Sequence, residues 1–536
     1  MTQRTTRAER MAQPSAAHAV KTLAEAAGGC VRPIQLRRTN LDTGQAETVL
    51  VPCGSPLETV CRSCAERCKS LRAQQCRDGW HADTEPITPP SRPDDWQAWL
   101  LEKRAEFQKL RDQMATDVED TTELDQLIRE LDAELARSGI RGKPDPARKG
   151  GTKRKRSTRR RQDAPGLPRR KIVPRTTGKV YTTPDGKTYR PSMFITLTLD
   201  SYGKVREDGT PADPGRYDYR RAARDVLHFA ALADRFIQNL RRYEGFDVQY
   251  FGTVEPQRRL APHLHLAIRG TVPRADLRQV IAATYHQVWW PATEVVRFEG
   301  DHLPVWHEGT GYLDPATGEV LTGWDDALDA IGPADQPRHV VRFGSRFDAQ
   351  GVLAGSKDSG RCIRYLTKYL TKHISGCHTS ETDAQQRHAD RLVEELRFEP
   401  CSPRCANWLR YGIQPKDAKK GQRPGACKGK AHRAGNLGYA GRRVLNSRKW
   451  SGKTLADHRA DRKAWLLDML GLPDPADQAR YRWETVTPSD VDFMSHGRRM
   501  LHVLADRAKW QSALAEARRR AQEATGNLSA TGKAAA

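Results

Sequence analysis

The chain has 536 residues, too many for one ordinary domain, and its length suggests roughly three to four folding units. Lys and Arg number 90 against 66 Asp and Glu, a formal charge of +24, which favours a polyanion and makes nucleic acid the leading partner class. The sequence opens without an apolar signal core and contains no run of about 18 apolar residues, which argues against export and membrane spanning and for a cytoplasmic protein. In that compartment eleven cysteines, nine of them in two clusters, point to metal sites and buried thiols rather than disulfides.

Residues 1–28 are polar and Ala-rich, a flexible arm or short helix. A Cys-rich module spans 29–82. There Cys61 and Cys64 form a CxxC pair with Cys53 upstream, and Cys30 stands at ribbon-like distance across an expected hairpin. Four thiolates suit one tetrahedral Zn²⁺, which would staple a segment with little apolar core of its own. Cys68, Cys76 and His81 are spare donors, and buried thiols without metal are the alternative.

After the Pro-rich break TEPITPPSRP, residues 94–142 carry two helical patterns, one through Trp96, Trp99, Leu100, Phe107 and Leu110, the other through Leu124, Leu127, Ile128, Leu131 and Leu135. They predict a helical hairpin acting as spacer or oligomerisation element. A basic linker follows over 143–190, in which residues 148–175 hold thirteen Lys or Arg against the single acid Asp163. Such a block cannot pack and is expected to be flexible.

Residues 191–398 have an α+β texture: strand FITLTL (194–199), a helix near 220–242, strands near 247–255 and 262–269, and a helix near 274–288. A Gly- and Asp-rich insertion over 298–338 separates these from strand HVVRFG and a helix beginning near Arg361. A Cys/His basic region covers 399–460, where Cys401, Cys405, Cys427 and His432 space like a zinc knuckle. Four protein ligands leave no open position, so both zinc sites read as structural. Helices over 461–524 and a disordered tail, 525–536, end the chain.

The stretch LAPHLHLAIRG (260–270) places two imidazoles in an apolar strand. Alternation puts His263 and His265 on one face and Leu264 and Leu266 on the other. If DVQYFGTVEPQRRLAPHLH forms a hairpin with Pro256 opposite Pro262, then Glu255 stands across from His263 and Thr253 across from His265. Two nitrogens and a carboxylate suit Mg²⁺ or Mn²⁺, with positions left for water or phosphate oxygens. A pair of hydrogen-bonded histidines lining a half-buried sheet is the alternative.

In RCIRYLTKYLTKHI (361–374), helical geometry gathers Ile363, Leu366, Leu370 and Ile374 into an apolar stripe and sets Tyr365, Lys368, Tyr369 and Lys372 on the opposite face. A solvated amphipathic face is the plain reading of that pattern. A phenol with a pKa of about 10 is a poor nucleophile at neutral pH, but a neighbouring lysine and a metal on the phosphate can compensate.

The order FITLTL, PHLHL, YLTKYLTK resembles the three motifs of HUH endonucleases of the rolling-circle initiator class, with two tyrosines one helical turn apart. RPSMFITLTLDSYG, VEPQRRLAPHLHLAIRG, CSPRCANWLRYG and RRVLNSRKWSGKTL look more closely like replication initiators of actinobacterial plasmids and integrative elements, a likeness running from about Cys30 to residue 520. The resemblance implies an HUH-type antiparallel sheet flanked by helices, with His263 and His265 as metal ligands and Glu255 as the third. It implies Tyr365 and Tyr369 as candidate nucleophiles and Lys368 as their assistant, with Thr196 and Thr198 lining the site from the neighbouring strand. The implied reaction is nicking and rejoining of single-stranded and double-stranded origin DNA through a phosphotyrosine, with host helicase and polymerase as partners. Phosphate contacts are expected from the basic linker, Lys372, Arg442, Arg443, Lys449 and Lys453, and Trp450 could stack on an unpaired base. A two-tyrosine transposase and a non-catalytic zinc-bearing DNA-binding regulator are the alternatives.

Overall fold

A computed structural model describes residues 14–40, 43–80, 95–117, 120–138, 165–178, 180–332, 334–353, 355–374, 382–469 and 481–531, with residues 82, 84, 85, 93, 140 and 376 between them. It is a mixed α/β protein in two compact units, Ile87–Arg160 and the remainder. The smaller unit pairs helices Asp95–Thr116 and Thr122–Arg137. Leu100, Ile128 and Leu135 are buried, and Arg104 binds Asp132 at 2.7 Å.

The larger unit is built on a six-stranded, wholly antiparallel sheet. Its strands are β1 (Pro191–Leu199), β2 (Tyr250–Pro256), β3 (Pro262–Arg269), β4 (Tyr285–Val288), β5 (His339–Leu353) and β6 (Val444–Asn446), in the order β6-β2-β3-β1-β5-β4. Strand alternation sorts the side chains. Ile195, Leu197, Val254, Leu264, Leu266 and Ile268 face the main core. Over them packs α1 (Tyr219–Glu244), capped at its start by Asp218, which accepts from the Arg221 N–H, and closed by Gly245 at φ 72°. Phe194, Phe251 and Ala267 face the other way and meet a smaller cluster containing Ile363, Leu366, Cys76, Trp80 and Trp450.

The second face is therefore covered by α2 (Lys357–Thr367) and by the helix Glu58–Trp80 from the Cys-rich module. In the Cys-rich module a three-stranded sheet runs in the order Tyr481–Thr485, Ile34–Asn40, Ala46–Val51, so a strand from near the C-terminus completes it. Helix His496–Thr531 packs on helix Pro14–Ala26 in the same module.

Several local expectations change. The helix expected over 274–288 stops at Ala282, and Tyr285–Val288 instead joins the sheet edge against His339–Arg342. The basic block lies outside the described residues through 164, but its last residues are docked: Arg170 N–H donates to Arg242 O at 2.9 Å and Val173 N–H to Gly245 O at 3.0 Å. Backbone pairing to the end of α1, with Leu167 packed on the main core and Thr176 buried, fixes this charged segment. The segment expected as a disordered tail is helical as far as Thr531. The insertion forms hairpin Val305–His307/Gly311–Leu313, and Thr322–Gly323 pairs in parallel with Ile413–Gln414 beside Trp324 and Trp408.

Candidate active site and metal centres

The hairpin β2–β3 pairs Pro256 with Pro262, Glu255 with His263 and Thr253 with His265. From the other side β1 sets Thr196 against His265 and Thr198 against His263. All six polar side chains thus occupy the face opposite the main core. Gly252, across from Leu266, has to be glycine, since a Cβ there would come within 2.5 Å of the His265 carbonyl oxygen.

Thr196 Oγ1 lies 3.0 Å from His265 Nδ1, and the Tyr365 hydroxyl lies 3.4 Å from His265 Nε2. The two imidazoles sit 4.4 Å apart, the Tyr365 ring stands edge-on to His265 at 4.9 Å, and Phe194 stacks behind His265 at 5.9 Å. Burial lowers the pKa of His263 to about 4, with Arg259 helping, and that of His265 to about 3, with His263 helping. Both rings are therefore neutral at physiological pH and carry a free lone pair. Burial pushes the Glu255 carboxyl above the usual carboxylate range, against Arg443 and Lys368.

Glu255 Oε1, His263 Nε2 and Thr253 Oγ1 are buried without a hydrogen-bond partner. Orphaned acceptors on neighbouring registers are costly unless something binds them, and a neutral imidazole beside a carboxylate suits a hard divalent cation. Glu255, His263 and His265 do not form a group as tight as the two cysteine quartets, and His265 Nε2 faces the Tyr365 hydroxyl.

The tyrosine segment departs from the expected continuous helix. α2 starts earlier, at Lys357, because Ser356 caps it by accepting from Ser359 N–H, and it stops at Thr367. Beyond it the bonds Lys368 N–H to Tyr365 O, Leu370 N–H to Thr367 O and Lys372 N–H to Tyr369 O make a tighter, three-residue winding. Ile363, Leu366, Leu370 and Ile374 are all buried as the stripe requires, while Tyr365 remains 44% exposed. Burial, Glu255 and Tyr369 raise the Tyr365 phenol above its ordinary pKa, and Lys368 pulls it back. Lys368 Nζ lies 4.6 Å over the Tyr369 ring, and a hydrogen bond with the Tyr369 side chain raises the ammonium's own pKa.

The turn is held from two sides. Glu58 N–H donates to Thr371 O at 2.8 Å, and Arg443 donates to Lys372 O. Neither contact carries a signal in the sequence, where Glu58 is one acid among many. Among the expected DNA contacts, Arg442 is exposed, Lys449 pairs with Asp247 at 3.5 Å and Lys453 with Asp461 at 2.7 Å. Thr198 Oγ1 donates to Arg346 O at 3.0 Å. Trp450 is fully buried, with its N–H on Cys76 O at 3.1 Å and Arg269 5.1 Å from its ring. It is a core residue with no face to offer a base, so the stacking role expected for it is corrected.

Among the described residues, two groups bring four ligand atoms within 4.8 Å of one another, Cys30/Cys53/Cys61/Cys64 and Cys401/Cys405/Cys427/His432. Either could hold zinc. In the first, a hydrogen bond from Cys30 lowers the Cys64 pKa to about 4, with Arg67 assisting. In the second, hydrogen bonds from Cys401 and Cys405 hold Cys427 well below the usual thiol range. His432 Nδ1 lies 3.0 Å from Leu396 O, which demands the proton there and leaves Nε2, 3.5 Å from Cys405 Sγ, as the donor lone pair. Cys68 and Cys76 stand outside both quartets, and His81 lies outside the described residues.

No helix among the described residues is long and apolar enough to cross a membrane. No curated protein and no solved structure matches the chain. Residues 16–523 match the family model RepSA, replication initiator protein, pSAM2. With that match covering almost the whole sequence, the chain belongs to the RepSA family of replication initiators.

Proposed function

We propose that this initiator opens rolling-circle replication of a plasmid or integrative element by nicking and rejoining one strand of its origin through a 5′-phosphotyrosine, in the manner of HUH endonucleases. One observation carries the reading: the Tyr365 hydroxyl lies 3.4 Å from His265 Nε2, on the sheet face shared by Glu255, His263 and Thr196. In the first transesterification the Tyr365 oxygen attacks phosphorus. Its O–P bond forms as the P–O3′ bond breaks, the phenol proton is lost, and O3′ takes up a proton to leave the 3′-OH a polymerase needs. Tyr369, one turn on, is suited to the second exchange that closes the circle.

Thr196 fixes the His265 ring and keeps its one free lone pair, on Nε2, on the side of Tyr365, so that an ion taking that lone pair would stand beside the phenol oxygen. Lys368 places positive charge beside both phenols. Glu255, His263 and His265 would hold Mg²⁺ or Mn²⁺, whose charge at the scissile phosphate makes phosphorus more electrophilic. Arg442, Lys372, Lys449 and Lys453 bind backbone phosphates on single-stranded or duplex origin DNA, and host helicase and polymerase extend the freed end.

The test uses single-stranded DNA from the replicon next to the coding sequence, with Mn²⁺. A protein–DNA adduct is expected, with Tyr365 in the attached peptide by mass spectrometry. His263→Ala should abolish cleavage and keep much of the DNA binding. Absence of both adduct and cut from the unmodified protein overturns the reading.

A further inference from the structure

The helix Glu58–Trp80 reaches from one half of the candidate site to the other. At its C-terminal end the Arg269 Nε–H of the histidine strand donates to Gly79 O at 2.7 Å, and the Trp80 indole N–H donates to Ser192 Oγ on the strand that carries Thr196. One turn before that end, Cys76 packs in the cluster containing Ile363 and Leu366 of the tyrosine helix. At its N-terminal end the Glu58 N–H donates to Thr371 O at 2.8 Å, and Thr371 Oγ1 donates to Glu58 Oε2 at 3.2 Å. Thr371 is buried and lies two residues after Tyr369.

This helix is not continuous. Cys61 has φ −161° and ψ 103°, an extended residue that separates a first turn, closed by Cys61 N–H on Leu57 O at 3.1 Å, from the long remainder. The first thiol quartet straddles that break: Cys61 stands at it, Cys64 lies beyond it, and Cys30 and Cys53 come from the adjoining loops. A tetrahedral ion bound to all four fixes the angle between the first turn and the rest, because Cys61 and Cys64 are then tied to one point. The direction of the Glu58 N–H follows from that angle.

We infer that the Cys30/Cys53/Cys61/Cys64 site is a zinc site that positions the nucleophile, acting through Glu58 on the turn that carries Tyr369 and follows Tyr365. The inference rests on the nicking reading for its consequence, although the coupling between zinc and the turn is a structural property measurable without it. Glu58 is a positioning residue. It reaches no reacting atom.

The experiment uses the full chain. Glu58→Pro deletes the donor N–H at the opening of a helix, where proline is tolerated, while Glu58→Ala keeps that N–H and loses only the carboxylate. Hydrogen–deuterium exchange of peptides covering 364–373 is the first readout. Cys64→Ser and Glu58→Pro should each accelerate exchange there, with the peptides of α1 unchanged as the fold control, and Glu58→Ala should have the smaller effect. Zinc content should fall by one equivalent in Cys64→Ser and stay constant in Glu58→Pro. The second readout is single-turnover adduct formation, expected to slow about 10- to 100-fold in Glu58→Pro through misplacement of the attacking oxygen, with DNA affinity unchanged. Normal protection of 364–373 in a zinc-depleted Cys64→Ser protein, or in Glu58→Pro, overturns the inference whether or not the protein nicks DNA. If the unmodified protein forms no adduct while exchange responds as expected, the nicking reading fails and the zinc-to-turn coupling stands.

Discussion

Replacing Thr196 by valine removes one oxygen and almost no volume, so its effect isolates the hydrogen bond between His265 Nδ1 and Thr196 Oγ1 at 3.0 Å. His265 is 3% exposed, so water does not replace the lost partner. Leaving a buried polar atom unpaired costs about 1–3 kcal/mol, equivalent to about 5- to 150-fold in a rate or binding constant. Loss of a partner that orients a ligating imidazole typically costs about 10- to 100-fold. Both routes converge on the same range, and both act through the ring: without the hydroxyl, the proton can sit on either nitrogen and Nε2 is no longer held toward Tyr365. Thr196→Val is therefore expected to lower the single-turnover rate of adduct formation about 10- to 100-fold and to raise the Mn²⁺ concentration needed for half-maximal rate, with DNA affinity unaltered. Stopped mixing with labelled single-stranded DNA, followed by denaturing electrophoresis, measures the first two, and fluorescence anisotropy the third. A variant within twofold of the parent rate shows that Thr196 does not set the His265 ring and removes the physical basis for pairing His265 with Tyr365.

Tyr369→Phe should still form the first adduct and lose rejoining, read as accumulation of nicked product, and loss of the first cut in this variant reverses the order of the two tyrosines. Trp450→Ala should cost about 3–5 kcal/mol of stability in chemical denaturation, and a variant of normal stability with weakened DNA binding restores the stacking role. Burial, with Arg235 and His339 helping, lowers His286 from 6.5 to about 4. The unfolded chain takes up a proton that the native state refuses, so this stabilisation is complete above pH 6.5 and is lost as pH falls toward 4. His286→Gln should flatten the decline in denaturation midpoint between pH 7 and pH 5, and parallel slopes for variant and parent rule out that contribution.

The β2–β3 pairing was legible because two-residue alternation and the flanking Pro256 and Pro262 leave one sensible register, and a strand neighbour across that register is fixed by geometry alone. The cysteine quartets were legible for a similar reason, since only thiols and imidazoles at short spacing can surround an ion. The helix end at Thr367 was not, because the apolar stripe continues through Leu370 and Ile374 at a spacing that a tighter turn also satisfies. Trp450 misled because charge around an aromatic in the chain says nothing of what folds over it, here Trp80, Phe251 and Cys76. Strand β6 beside β2, and Tyr481–Thr485 beside Ile34–Asn40, join segments hundreds of residues apart. Pairings at that separation leave no local periodic trace.

The strand Tyr481–Thr485 has a consequence for synthesis. The sheet begun by Ile34–Asn40 and Ala46–Val51 lacks its third strand until the ribosome has reached residues 481–485. Translation products released early are therefore left with an open β edge beside reactive thiols, a state that proteases and chaperones recognise. The order of assembly therefore makes the first module depend on a strand synthesised far later in the chain, and that module closes only once residues 481–485 have emerged.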